Sequence, residues 1–320
     1  MQVKLLTSLI VIVIFPNHIS YPKMMKAVIR KYRKKLEKSV KENDKSVLAK
    51  TYIKLLGVAR PLYFSEEFLL LNGLKGKVES DHKSVLFFTV HKSASTFIEN
   101  TVTELLKNKT LATINFSGYL SKKKQEEYYN NARLMKKVLK PIGYFYGAFR
   151  SFYNFPGLDN FKILLVLRDP RDVLTSYYFS TLYNHPLGRK EVFEERKKYA
   201  NTTIDEFVLE RAPEFKKRYR DYCEHLLGKE NVLLLKYEEM ITEFGTWLQK
   251  LSAFLELKDN EGALDTLVMK TSFKVKKEDP HSFIRNIKAR DHKDKLKPET
   301  IAKLTALFRN ELIQLNYDLE

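Results

Sequence analysis

Short apolar runs alternate with longer stretches of helical periodicity along this chain of 320 residues. Ser84–Val90, Gly143–Ala148, Lys162–Leu167 and Asn231–Leu235 predict strands. The last two are almost continuous aliphatic runs, as in a parallel sheet covered on both faces. Between them the spacing predicts helices over Ser95–Lys107, Ser121–Leu139, Pro170–Tyr183, Ile204–Leu227 and Thr242–Leu255, and Pro298 opens another that runs to about Gln314. The alternation predicts a three-layer α/β fold, a central mostly parallel sheet flanked by helices on right-handed crossovers. In such sheets ligands bind beyond the carboxyl ends of the strands. Thr271–Arg290 is polar and irregular, a segment able to fold over a ligand.

Two of the predicted strand-to-helix junctions carry chemistry. The first reads SVLFFTVHKSASTFIEN from Ser84 to Asn100. A short turn into a helix N-terminus leaves backbone N–H groups and the positive end of the helix dipole facing an anion. Lys92 adds a point charge there, and Ser93, Ser95 and Thr96 add hydroxyls. Alone, this is equally an N-capped helix with a lysine nearby. The second reads KILLVLRDPRDVLTSYYFS from Lys162 to Ser180, with Pro170 as a helix-start signal. Arg168 ends the strand with a guanidinium fork suited to phosphate, and Ser176 lies two turns into the helix. The alternative there is that Arg168, Asp169, Arg171 and Asp172 form a surface charge network of little consequence. Together, two cationic, hydroxyl-bearing junctions imply a ligand with anionic groups at both ends.

Composition narrows the field. A chain of this length with 44% hydrophobic residues can bury a full core. The formal net charge of +18 favours a polyanionic ligand, a nucleic acid or an anionic membrane surface. Much of the excess is local, since Lys23–Lys50 holds 11 basic residues against 3 acidic ones. Within it Met25, Ile29, Tyr32, Leu36 and Val40 recur at helical spacing, predicting a basic helix that packs on its own domain or makes peripheral contact with a membrane. Leu5–Phe15 is apolar but short for a spanning helix; it reads as a buried N-terminal segment, with a membrane anchor through residues 5–15 as the alternative. The expected organisation is a short hydrophobic segment over 1–22, a basic helical extension over 23–80 and the α/β domain over 81–320. Cys223 is the single cysteine, which excludes an intrachain disulfide and favours a reducing, cytoplasmic setting. No HxxxH or HExxH spacing occurs, so no metal site is expected.

The motifs in order resemble those of sulfotransferases that use 3′-phosphoadenosine 5′-phosphosulfate (PAPS), a family with a P-loop NTPase-like α/β fold. That family's 5′-phosphosulfate loop, PKSGTTW, is matched by HKSASTF from His91 to Phe97, which includes Lys92, Ser93, Ala94, Ser95 and Thr96. Its 3′-phosphate motif, an Arg followed eight residues later by a Ser, is matched by Arg168 and Ser176. LLLKYEEM puts Tyr237 at a nucleotide-contacting position, KTSF puts Thr271, Ser272 and Phe273 where the adenine is held, and FIRNIKARDHK puts Arg285 on the Arg of the closing segment RKGxxGDWK. The resemblance runs from about Ser84 to the C-terminus and leaves the first eighty residues uncovered. It implies transfer of a sulfuryl group from PAPS to a hydroxyl or amine, with adenosine 3′,5′-bisphosphate (PAP) as product and no metal. Acceptors in the form of a sugar, a lipid, a small alcohol or a peptide tyrosine stay open, and no nucleic acid is expected as a partner.

Departures from the pattern matter. His91 replaces Pro and Ala94 replaces Gly in the first loop, and Ala94 tests whether the turn needs a positive φ. Asn286 and Ile287 replace Lys and Gly after Arg285. Where cytosolic members carry a KTHLP-type motif with the catalytic His, this chain has AFRSF, with Arg150 at the base position. Arginine does not deprotonate at working pH, though it can stabilise sulfuryl oxygens. For the acceptor's proton, His185 in TLYNHP is the first candidate, followed by His91 and His281; a structural or solvated histidine is the plain alternative for each. Glu99 is a carboxylate alternative if its helix does not turn it away. Three rivals remain: a P-loop nucleotide kinase or NTPase, which would want a GxxxxGK[ST] loop absent here; a non-enzymatic protein binding polyanions through the basic helix; and an inactive protein of the same fold.

Overall fold

Runs too apolar to face water on either side form the middle of the molecule. The computed structural model describes residues 64–74, 78, 80–106, 111–184, 190–257, 261–273, 275, 277–282 and 284–320. The expectations for 1–22, for the basic helix of Lys23–Lys50 and for His185 lie outside the described residues. The chain divides into two units, Met1–Leu74 and Lys75–Glu320. Of the first unit the described part contains the helix Ser65–Leu71.

The second unit holds a parallel sheet. Its described strands are β1 (Val85–Thr89), β2 (Ala112–Ile114), β3 (Tyr144–Phe149), β4 (Lys162–Leu167) and β5 (Val232–Lys236), in the order β2-β3-β1-β4-β5. The four strands expected from the sequence are present, each within a residue or so. Strand β2 is an addition: three residues at the sheet edge carry too little pattern to be recognised.

Five helices matter for the site: α1 (Ser95–Leu105), α2 (Pro170–Phe179), α3 (Ile204–His225), α4 (Phe244–Phe254) and α5 (Pro298–Gln314). Alternate strand residues point to opposite faces. Val85, Phe87, Phe145, Leu164 and Val166 join Ile98 and Val102 of α1 and Trp247, Leu248 and Leu251 of α4 in one core layer. On the other face Phe88 meets Tyr222 of α3 edge-on at 6.2 Å. Each such fully buried side chain stabilises the fold by about 1.5–3 kcal/mol.

Two helical expectations need correction. The stretch Ser121–Leu139 is two helices, Lys122–Tyr129 and Ala132–Val138, because the Asn131 side chain accepts a hydrogen bond from Leu134 N at 3.0 Å and starts the chain afresh. The helix from Pro170 ends at Phe179 rather than Tyr183, widening into a π turn over Ser180–Asn184.

The strand order places the site. β1 and β4 are neighbours whose connections leave toward opposite edges, β1 toward β2 and β4 toward β5. A crevice between two such strand ends is where doubly wound sheets bind ligands. Beside it, β3 carries a bulge: Leu86 faces Tyr146 and Phe88 faces Phe149, so β3 has one extra residue, and Ala148 takes φ +32°. Bulges re-aim the chain beyond them, and here that chain is Arg150.

Candidate active site

The turn after β1 is wound against the preference of its own residues. Lys92 takes φ +67° and Ala94 φ +58°, ψ +27°, a left-handed pair leading into α1. The turn does need a positive φ where the family pattern has Gly, and Ala meets it at a cost of about 1–2 kcal/mol. The geometry buries Ser93 and Ser95, half-buries Ala94 and Phe97, and leaves Thr96 exposed. Ser93 Oγ is buried without a hydrogen-bond partner. Ser95 Oγ accepts from Arg150 Nη2 at 3.1 Å, so the residue at the strand end after the bulge reaches the loop.

Lys92 lies among positive charge. Burial, then Arg168, Arg285 and Arg150, push its ammonium down to about 8. Three guanidiniums from three separate segments therefore surround one lysine at the ends of β1, β3 and β4, which is the field an anion requires.

After β4 the charges are internal. Arg168, Asp169, Arg171 and Asp172 are all buried, which removes the surface-network alternative. The two arginines diverge. Arg171 grips Asp169 with two nitrogens (3.0 and 2.7 Å) and turns to Thr305 Oγ1 of α5 and the Asp318 carbonyl, a structural tie. Arg168 turns to the crevice: it donates to the Lys92 carbonyl and to the Lys288 carbonyl, each at 3.1 Å, and stacks over the Tyr237 ring at 4.2 Å. Its Nε is buried without a partner. Burial works against the Arg168 charge, but Tyr237, Asp172, Glu238 and Asp291 outweigh it and hold its pKa above the ordinary value. Ser176, on α2, is half-buried.

Asp172 anchors the closing segment. Its carboxylate accepts from His292 N (2.9 Å), His292 Nδ1 (2.6 Å) and Arg290 N (2.7 Å), and Arg168 stands 3.8 Å away. Arg285, the match to the family's closing arginine, pairs with Glu278 and Asp291 and stacks on Phe179 at 4.2 Å. It acts on Lys92 from that engaged position. Phe97, Phe244 and Phe273 form a triangle with centroids 5.2–5.8 Å apart, so the first loop and the KTSF segment do meet; Thr271 is half-buried and Ser272 exposed.

The helix expected over Ile204–Leu227 is present as α3, and it holds both loops, a role its pattern does not announce. From α3, the Tyr219 hydroxyl donates to the Arg168 carbonyl and the Tyr222 hydroxyl to the Thr89 carbonyl (2.6 Å). One turn of one helix thus fixes the ends of β4 and β1. Arg218, beside them, donates to His91 Nδ1 at 2.9 Å. The recurrence of Phe215, Tyr219 and Tyr222 at helical spacing was the available signal, and it reads as core packing. Among the described residues no cluster of His, Cys, Asp or Glu could hold a metal, and no helix is long and apolar enough to cross a membrane.

A sulfotransferase-domain family model matches residues 64–316. Luciferin sulfotransferase of Photinus pyralis is 28% identical over 149 residues, covering 45% of this chain and 34% of that protein. Human Sulfotransferase 1C2 is 29% identical over 128 residues, covering 38% and 39%. The matched stretch thus spans little more than a third of each relative. A mouse sulfotransferase solved in complex with PAP superposes with a TM-score of 0.51 at 17% identity over 78% of this chain and 94% of that one, a likeness of fold. With a domain match over most of its length and a parallel sheet of the same fold, the chain belongs to the sulfotransferase-domain family.

Proposed function

We propose that this protein transfers a sulfuryl group from PAPS to a hydroxyl or amine of an acceptor, in line and without a metal. The observation that carries the reading is the crevice between β1 and β4, where Lys92, Arg150, Arg168 and Arg285 converge and two buried donors, Ser93 Oγ and Arg168 Nε, have no protein partner. Unmet buried donors are costly, and an anion relieves both cost and like-charge repulsion. A nucleotide with a 5′-phosphosulfate and a 3′-phosphate fits this donor set. Lys92, the N–H groups of the turn, Ser95 and Thr96 would hold the phosphosulfate; Arg168, Ser176 and Arg285 the 3′-phosphate; Phe97, Tyr237, Thr271, Ser272 and Phe273 the adenosine.

In the reaction the acceptor oxygen bonds to sulfur as the bond from sulfur to the bridging phosphate oxygen breaks, and the electron pair stays on that oxygen. Lys92 neutralises the charge that grows there, and Arg150, tethered to Ser95, stabilises the sulfuryl oxygens. The acceptor class is a hydroxyl-bearing sugar, lipid or small alcohol. In this reading the catalytic domain is 81–320, residues 1–22 and 23–80 stand outside it, and the setting is cytoplasmic with peripheral membrane contact through the basic stretch. A thermal-shift comparison tests it: PAP raises the melting temperature and ATP with magnesium does not, since a ligand that binds only the folded state stabilises it. Stabilisation by ATP that requires magnesium, with none by PAP, overturns it in favour of a nucleotide kinase.

A further inference from the structure

The reaction leaves a proton to be placed, and His91, His281 and His292, the described histidines on or beside the matched motifs, are poorly fitted to take it; His185 lies outside the described residues. Arg218 can only donate, so His91 Nδ1 accepts from it and the neutral ring keeps its proton on Nε2, with no lone pair left. His281 is exposed, its ring packed edge-on against Tyr183 at 5.4 Å. His292 is fully buried, with its backbone N–H and Nδ1 both held by the Asp172 carboxylate as part of the anchor of the closing segment.

A carboxylate lies within electrostatic reach of Arg150. Glu99 follows Ser95 by four residues on α1, so both point from one face of the helix. Ser95 on that face holds Arg150, the residue tethered to the loop. Glu99 Oε1 is buried without a hydrogen-bond partner, and it lies so close to β3 that a Cβ placed on Gly147 would stand 2.5 Å from it. The Tyr129 hydroxyl is also buried and unpartnered, within electrostatic reach of Arg150 and Glu99. An unmatched carboxylate oxygen away from water is expensive, and native proteins retain such groups where they serve chemistry.

We propose that Glu99 is the catalytic residue that accepts the proton of the acceptor hydroxyl as its oxygen bonds to sulfur. The inference rests on the sulfuryl-transfer reading above. The O–H proton passes to a Glu99 carboxylate oxygen, the acceptor oxygen gains the sulfuryl group, and the electron pair of the broken sulfur–oxygen bond leaves with PAP. Burial raises the Glu99 carboxyl above the usual carboxylate range while Arg150 pulls it partly back, which increases its proton affinity in the direction a base requires.

The test measures PAP formed from PAPS by the full chain with 2,2,2-trifluoroethanol, methyl β-D-glucoside and cholesterol, a small alcohol, a sugar and a lipid of falling acidity, and with water alone. PAP-induced thermal shift is recorded beside it. Glu99→Gln should keep the thermal shift and lose about a hundredfold in rate, the loss growing as the acceptor becomes less acidic. The rise of rate with pH that reports Glu99 deprotonation should vanish. Glu99→Asp should recover part of the rate. Gly147→Ala, which displaces the carboxylate without removing it, should fall between. A Glu99→Gln rate within about threefold of wild type overturns the inference, as does loss of the thermal shift together with turnover, which would make Glu99 a support of the nucleotide site. A wild-type chain that binds PAP yet forms none from PAPS with any of these acceptors overturns the sulfuryl-transfer reading, and the inference with it.

Discussion

Arg168 is bracketed by Asp172, two backbone carbonyls and the face of Tyr237, whereas Lys92 is acted on by burial and by three guanidiniums. Both stand at the mouth of the same sheet, one strand apart. The first is a charge the fold has already paired and therefore a structural member as well as a ligand group. The second is a charge that burial and three like charges work against. A site can thus keep one end rigid and reserve the other for chemistry, using the same sign of charge in both.

The sharpest way to break the contrast is to truncate each. Arg168→Ala should cost about 3–5 kcal/mol of stability in urea unfolding, because it leaves Asp172 buried beside a vanished charge, and should abolish the PAP-induced shift. Lys92→Ala should cost little stability while collapsing turnover. Equal destabilisation by the two would erase the difference between the loops.

A milder probe is pH. In the unliganded protein the Lys92 ammonium is pushed down to about 8, and a bound phosphate must raise that value, so binding takes up a proton above pH 8. PAP affinity measured by calorimetry should be level below that point and fall by up to about tenfold per pH unit above it, until the bound-state value is reached. In Lys92→Ala the slope should disappear. The smallest effect sharpens the same picture: Ala94→Gly relieves a left-handed alanine and should add about 1 kcal/mol of stability in the same urea experiment, with the loop otherwise unchanged.

How much of this was legible beforehand depended on whether the signal lay within one segment. Lys162–Leu167 announces a buried parallel strand by itself, and HKSASTF and RDPRD announce anion junctions by local composition. The break at Asn130–Asn131 was also local, two capping residues inside a long helical pattern, and could have been read. The strand end and the Arg-to-Ser spacing single out Arg168, but nothing local shows that Arg171, three residues on, is a structural tie; that is set by Thr305 and Asp318, far along the chain, as the hold on Arg168 is set by Lys288. Tyr219 and Tyr222 have the spacing of ordinary core residues, and their hydroxyl partners come from strands more than fifty residues away. Glu99 looked as if its helix could turn it away from the site. The side of the helix it occupies is decided by β3, which supplies Arg150 to its neighbour Ser95 and empty space at Gly147.

That space carries a consequence for how the protein could be altered. At Gly147 the backbone takes an ordinary strand conformation, so the glycine serves as a vacancy one methyl wide, and a carboxylate lies in it. The posture of an acid on one element is thus written in the missing atom of another. An engineer wishing to move Glu99 by a fraction of its own length would leave residue 99 untouched and edit the strand.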